Sequence, residues 1–164
     1  MYYPLNFYSS FFSIRTNVFD IFTIVKGKNE ILTKLDLIKK KIANPMTKFT
    51  IKNKELDLMP IFEIVLEMLA RGFYIKNIDL EKSQVTDFLV ENDYLIPPFS
   101  TIDGLGETVA KSIIEARKIK PFTSKEDLID RTKLTKTHFK ILEELGVIQH
   151  LDDDDQLVMF GNGN

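Results

Sequence analysis

The chain has no cysteine, so disulfides and thiolate metal sites are both excluded, in keeping with a reducing cytoplasm. No apolar run reaches the length of a membrane span, and a membrane is not expected among its partners. Met1-Tyr2-Tyr3-Pro4 lacks the basic start of a secretory leader. A broad surplus of basic charge is missing too: the formal net charge is −2. The last fifteen residues account for that sign, with four Asp and no Lys or Arg. Between Ile96 and Gln149 nine Lys/Arg face eight Asp/Glu, and such local balance governs phosphate contact. Nor is there a pair of acids in a strand context to hold two metal ions for phosphoryl transfer. Asp152–Asp155 sit on a tail expected to flex, and His138 and His150 stand apart as surface or capping side chains. The chain alone is therefore expected to be catalytically silent, with no cofactor of its own.

What is present centres on Ile102–Arg117. Gly104 and Gly106 bracket Leu105, and an amphipathic helix begins at once, with Val109, Ala110, Ile113 and Ile114 inward. Thr108, Lys111, Ser112 and Glu115 fall on the outer face. Glycine suits a tight hairpin, and the amides of the turn and first helical turn are left facing outward. With the helix dipole they make a place for one backbone phosphate. A plain loop before a helix is the simpler reading of Gly-Leu-Gly alone. The continuation strengthens the other: Thr123-Ser124-Lys125-Glu126 has capping-box spacing, and Lys133-Leu134-Thr135-Lys136 leads into a helix over 137–145 stopped by Gly146. The pattern is a tandem helix-hairpin-helix whose second hairpin has lost its glycines. DNA-binding candidates are Gly104, Leu105, Gly106, Thr108, Lys111, Lys133 and Lys136.

The expected fold class is mainly α with a small β-hairpin, a tandem helix-hairpin-helix unit and a flexible C-terminal tail. Tyr2–Ile14 is an aromatic helical segment that needs a packing partner, and Met1 reads as a start placed on a segment of a longer chain. Asn29–Ala43 is a helix with Ile31, Leu35, Ile38 and Ile42 inward, and its lysine run is expected to be a solvated face. Asp57–Arg71 is a second helix, capped by Asp57, with Pro60 in its first turn and Gly72 past its end. Segments 74–80 and 85–90 are extended, Asn92-Asp93 turns, and Tyr94-Leu95-Ile96 runs into Pro97-Pro98. Three parts are expected: a helical segment and linker over 1–58, a duplex-binding region over 59–150 with its hairpins at about 96–146, and a tail over 151–164. In the tail, Gln156, Leu157, Val158, Met159 and Phe160 make a short anchor suited to an apolar groove, although from residue types alone a frayed tail without a role is the simpler reading.

These residues together carry a resemblance. Tyr2-Tyr3-Pro4-Leu5, Phe7-Tyr8 and Ser10-Phe11-Phe12 begin it. Leu66-Glu67-Met68, Arg71-Gly72, Ile78-Asp79-Leu80, Ser83-Gln84 and Leu95-Ile96-Pro97-Pro98-Phe99 continue it. Gly104-Leu105-Gly106, Phe122, Ser124–Leu128 and Gln156–Phe160 complete it. The chain resembles the C-terminal region of the PolC-type DNA polymerase III alpha subunit, the replicative polymerase of low-GC Gram-positive bacteria.

That resemblance implies a non-catalytic part of a replicative polymerase, active in the cytoplasm. It implies that the aromatic start is the end of a fingers region and that the hairpin grips double-stranded DNA by its backbone without reading sequence. It also implies that Gln156–Phe160 holds the sliding clamp, that the remainder of the polymerase is a partner, and that Mg2+ is used in a region not present here. Val158 and Met159 depart from the usual clamp peptide, and Glu107 stands where many DNA-gripping hairpins carry Lys or Pro. Two other readings remain open: a stand-alone helix-hairpin-helix scaffold in DNA repair or recombination, and a helical protein-interaction domain that does not touch nucleic acid.

Overall fold

The computed structural model describes residues 4–154. Helix α1 (Pro4–Ser13) opens on a proline, whose missing N–H costs nothing in a first turn. Its apolar side finds the partner it needs within the chain. Tyr8 and Phe12 are buried, and the Phe12 ring meets Phe19 at 5.4 Å while Phe19 meets Phe88 at 5.0 Å, edge to face. Two serines stitch the helix to the backbone of residue 88: Ser9 Oγ donates to Phe88 O (3.0 Å), and Phe88 N–H donates to Ser13 Oγ (3.0 Å). Tyr2 and Tyr3 lie outside the described residues.

A one-turn helix follows, α2 (Ile21–Ile24), which the sequence reading leaves unassigned. Asp20 caps it by accepting the Thr23 N–H (3.2 Å). Burial pushes the Asp20 carboxyl up, but hydrogen bonds from Lys34 and Thr23 outweigh it and leave the group below the usual carboxylate range. Helix α3 (Lys28–Ala43) buries Ile31, Leu35 and Ile38. Ile42, expected on the same stripe, stays 38 % exposed in the last turn, where the chain bends away toward α4.

Helix α4 (Asn53–Ala70) starts four residues before the expected Asp57. The cap is different from the one the sequence advertises: the Glu55 carboxylate reaches back to the Lys52 N–H at 2.7 Å. Pro60 therefore lies inside the helix and not in its first turn, exposed on the outer face. The helix runs unbroken through residues 58 and 59, where the sequence reading divides the chain. Its end is as expected. Gly72, at φ +87°, closes α4 with bonds from Gly72 N–H to Leu69 O and from Phe73 N–H to Met68 O.

Strands β2 (Leu89–Glu91) and β3 (Tyr94–Ile96) form the expected hairpin around Asn92, and β1 (Tyr74–Ile75) adds to β3 in parallel. Pro97-Pro98 ends β3, and one 3-10 turn, Phe99–Thr101, connects it to the Gly-Leu-Gly segment. That connection is pinned from the side by Phe99 N–H to Gln84 O (3.0 Å) and Ser100 N–H to Val85 O (3.1 Å). Buried Ser83 reinforces it by donating to Pro97 O (2.8 Å). The direction of entry into the hairpin is thus fixed by the sheet. Helices α5 (Glu107–Ile119), α6 (Lys125–Arg131) and α7 (Lys136–Glu144) complete the order. Buried side chains from Leu5 to Leu151 form a single cluster, so the hairpin region shares its core with the N-terminal helices.

Candidate nucleic-acid interface

The first hairpin is a turn over Ile102–Leu105, closed by Leu105 N–H donating to Ile102 O (3.2 Å). Its third residue, Gly104, has φ +80°, the value that a type II turn demands and that other residues adopt at a cost. Leu105 is 5 % exposed and plugs the core beneath the turn, so both its side chain and its N–H serve the fold. Gly106 has ordinary extended geometry (φ −73°, ψ 169°) and occupies the N-cap of α5. Having no side chain, it leaves the α5 amides without a cap. The first helix of this motif is reduced to the 3-10 turn Phe99–Thr101.

The second hairpin, residues 132–135 between α6 and α7, repeats the plan with other chemistry. Leu134 is buried like Leu105. Thr135 stands at the N-cap position and closes the end: its Oγ1 accepts the His138 N–H (3.3 Å), and His138 Nδ1 accepts the Thr135 N–H (3.1 Å). Helix α6 is sealed too. Ser124 Oγ accepts the Asp127 N–H (3.0 Å), so the N-cap of α6 is Ser124 and not Thr123, and the Asp127 carboxylate accepts the Thr123 N–H (3.1 Å). The carbonyls of Asp152 and Asp153 accept the Lys125 and Glu126 N–H groups at 2.8 and 3.0 Å. The first residues of the supposed tail, Leu151–Asp153, are therefore held against α6. Gln156–Phe160 lie outside the described residues.

Two bonds join the hairpins. Because His138 Nδ1 accepts, the ring proton is on Nε2, which donates to Gly104 O at 2.9 Å. Lys133 N–H donates to Ser112 Oγ (2.9 Å), which itself donates to Val109 O (2.6 Å). Arg131 ties the far end. It donates to Ala116 O (2.6 Å), which also accepts the Lys120 N–H, and to Lys120 O (2.8 Å) past the end of α5, and pairs with Asp127 at 2.7 Å while lying over the Phe122 ring. Burial pushes the Asp127 carboxyl up, but the Thr123 N–H and Arg131 pull it below its usual range.

The sequence-derived candidates thus occupy one region. Gly104, Gly106, Thr108, Lys111, Lys133 and Lys136 are exposed; Leu105 is not. Lys111 Nζ is engaged by Glu107 at 2.8 Å, one helical turn away, which holds the Glu107 carboxyl low and the Lys111 ammonium high. Sequence reasoning missed the linking roles of Ser112 and Arg131, and of His138 it gave a surface or capping side chain without its bond to Gly104. Only His138 had a readable signal, its place three residues after Thr135. It is buried, a cap and not a surface side chain.

Two linked hairpins, each with a leucine plug ahead of a helix N-terminus, define a class, and comparison with known proteins agrees. A family model described as "Helix-hairpin-helix motif" matches residues 72–157, more than half of the chain, and the chain belongs to that family. Its sequence is also similar to DNA polymerase III PolC-type proteins along nearly its whole length. It is 48 % identical over 162 residues to that of Ureaplasma parvum, 41 % over 160 residues to that of Staphylococcus aureus, and 38 % over 162 residues to that of Oceanobacillus iheyensis. Each alignment takes in 98 % of this chain, which spans only 11 % of the relative's length. Among the described residues, no helix is long and apolar enough to cross a membrane.

Proposed function

We propose that this chain is the duplex-holding part of a replicative DNA polymerase. The observation that carries the reading is the uncapped start of α5 behind Gly104-Leu105-Gly106, held beside the second hairpin through His138. The amides of Gly106, Glu107 and Thr108 would take one backbone phosphate, with the Thr108 hydroxyl and Lys111 beside it. Lys133 and Lys136 would take phosphates at the second hairpin chiefly by charge, because the cap takes up its Thr135 and His138 amides. Such contacts position a protein on DNA and carry no sequence information. Lys111 must exchange Glu107 for phosphate on binding, so the isolated chain should bind weakly and with steep salt dependence.

The tail peptide Gln156, Leu157, Val158, Met159 and Phe160 is proposed to hold the sliding clamp, with Gln156 as polar anchor and Leu157, Met159 and Phe160 as plugs. Tethering raises effective concentration, so a weak peptide suffices while the duplex is also held. Nucleotidyl transfer, with its Mg2+, is proposed for the remainder of the polymerase. No cluster of three or more metal-ligating side chains occurs among the described residues. The site of action is proposed to be the cytoplasm.

Fluorescence anisotropy with blunt duplex across a salt series tests the hairpins. Neutralising Lys133 and Lys136 together should weaken all duplex sequences alike and reduce the log–log salt slope by about 1.8. Unchanged affinity would refute the assignment. Clamp binding is tested separately with Gln156 and Phe160 replaced by alanine; no binding by the intact chain would remove the tail from the proposal.

A further inference from the structure

The connection between α3 and α4 presents two apolar side chains to solvent on a firmly built loop. Met46 is 85 % exposed and Phe49 83 %. Their positions are set by the loop's own bonds. Asn44 Oδ1 accepts the Met46 N–H (2.9 Å), Thr47 Oγ1 donates to Lys41 O (2.9 Å), and Thr50 Oγ1 donates to Thr47 O (2.7 Å). A ring held out in this way costs hydration free energy unless something covers it.

The surroundings say what the cover is. Residues 26–57 carry nine Lys and four acids, in a chain whose overall charge is negative. Five of those lysines, at 34, 39, 40, 41 and 54, are matched to carboxylates. Lys48 and Lys52, on either side of Phe49, are in no ion pair among the described residues. The Lys48 ammonium lies 5.1 Å over one face of the Phe49 ring, which leaves the opposite face open. The elbow is also continuous with the hairpin. Lys54 Nζ meets Asp103, beside Gly104, at 3.0 Å, and a cleft lined by Lys52, Lys54, Leu58 and Thr101 runs between them.

We propose that this elbow binds single-stranded nucleic acid, with an unpaired base on the open face of Phe49 and the adjoining phosphates on Lys48 and Lys52. The inference rests on the duplex reading of the hairpin for its place on the DNA, since the strand would reach the elbow from a duplex held at Gly104–Gly106. An aromatic face flanked by unpaired cations is the combination that holds single strands without regard to sequence. A paired base has both faces stacked and cannot offer one to the ring, which selects a single strand over a duplex. Met46, exposed on the same loop, gives an adaptable apolar surface for a second base or sugar.

The test compares three DNA probes with the intact chain at low salt: a blunt duplex, the same duplex with a ten-nucleotide single-stranded extension at either end, and the free single strand. The extension should tighten binding. Phe49→Ala should abolish that gain, a loss of about fivefold or more, leave blunt-duplex affinity and the thermal midpoint unchanged, and be rescued by Phe49→Trp. Lys48→Gln with Lys52→Gln should lower the salt slope on the extended probe by about 1.4. Equal affinity for blunt and extended duplex, or a Phe49→Ala effect of the same size on both, overturns the proposal. Failure of the hairpin reading looks different. Blunt duplex would not bind at all, and the free strand, sensitive or insensitive to Phe49→Ala, would then decide the elbow alone.

Discussion

The two hairpins of this chain solve one architectural problem with opposite polar chemistry. Both seat a buried leucine, Leu105 or Leu134, ahead of a helix that buries its inner face. At the first, glycine at the N-cap leaves the donors of α5 without a side-chain cap; at the second, Thr135 and His138 cap each other's amides at the start of α7. A helix start that caps itself is good for stability and useless for an anion. The uncapped one forgoes a local bond and keeps its donors for something outside the chain. The closed hairpin also props the open one, because His138 spends its second ring nitrogen on the carbonyl of Gly104. The pair reads as a division of labour, with the second unit as buttress and the first as grip.

Substitutions can push this contrast in either direction. The largest effect should follow Arg131→Ala, which removes its bonds to the Ala116 and Lys120 carbonyls and the ion pair to Asp127; unfolding in urea should show a loss of about 3 kcal/mol. His138→Ala removes the α7 cap and the strut to Gly104 together. It should cost about 2 kcal/mol and weaken duplex binding although the residue touches no DNA. Gly104→Ala should cost about 1–2 kcal/mol by the same measurement. A Cβ there meets nothing within 4 Å, so the penalty is the positive φ alone.

Acid should act through Asp127. Its carboxyl lies below the usual range in the folded chain, so its contribution is complete above its unfolded pKa of about 3.9 and is lost as pH falls through the lower folded value. Asp127→Asn should be less stable at neutral pH and show a flatter urea midpoint between about pH 5 and pH 2. The smallest change in stability, a few tenths of a kcal/mol at most, is expected from Gly106→Ser, whose Cβ also has open space. A serine hydroxyl would cap α5 as Thr135 caps α7. Duplex affinity measured by anisotropy should therefore fall while the fold is unharmed, turning the open hairpin into a copy of the closed one.

Much of this was legible in the residues. The glycine of the turn, the leucine plug, the amphipathic period of α5 and the Asn92 hairpin are local signals, and local signals survive folding. The start of α4 is hidden in the sequence because Asp57 and Pro60 look like a helix beginning, whereas Glu55 can also serve as one from the third helical position. One-turn α2 and the parallel pairing of β1 were not legible, since each depends on partners far along the chain. The same holds for the interface. Its lysines are conspicuous, but that Lys111 is engaged by Glu107, that Ser112 receives the Lys133 amide and that Arg131 closes α5 are facts of three-dimensional placement. The aromatic start looked unpartnered in the sequence, yet Phe19 and Phe88 cover it.

The His138 strut gives the two hairpins a mechanical character. Joined there and again at Ser112, they behave as the jaws of a caliper whose opening is set by the side chains of His138 and Ser112. A caliper measures width and nothing else. On the proposed duplex reading, it would accept every base sequence of the right groove geometry and reject a helix too broad or too narrow.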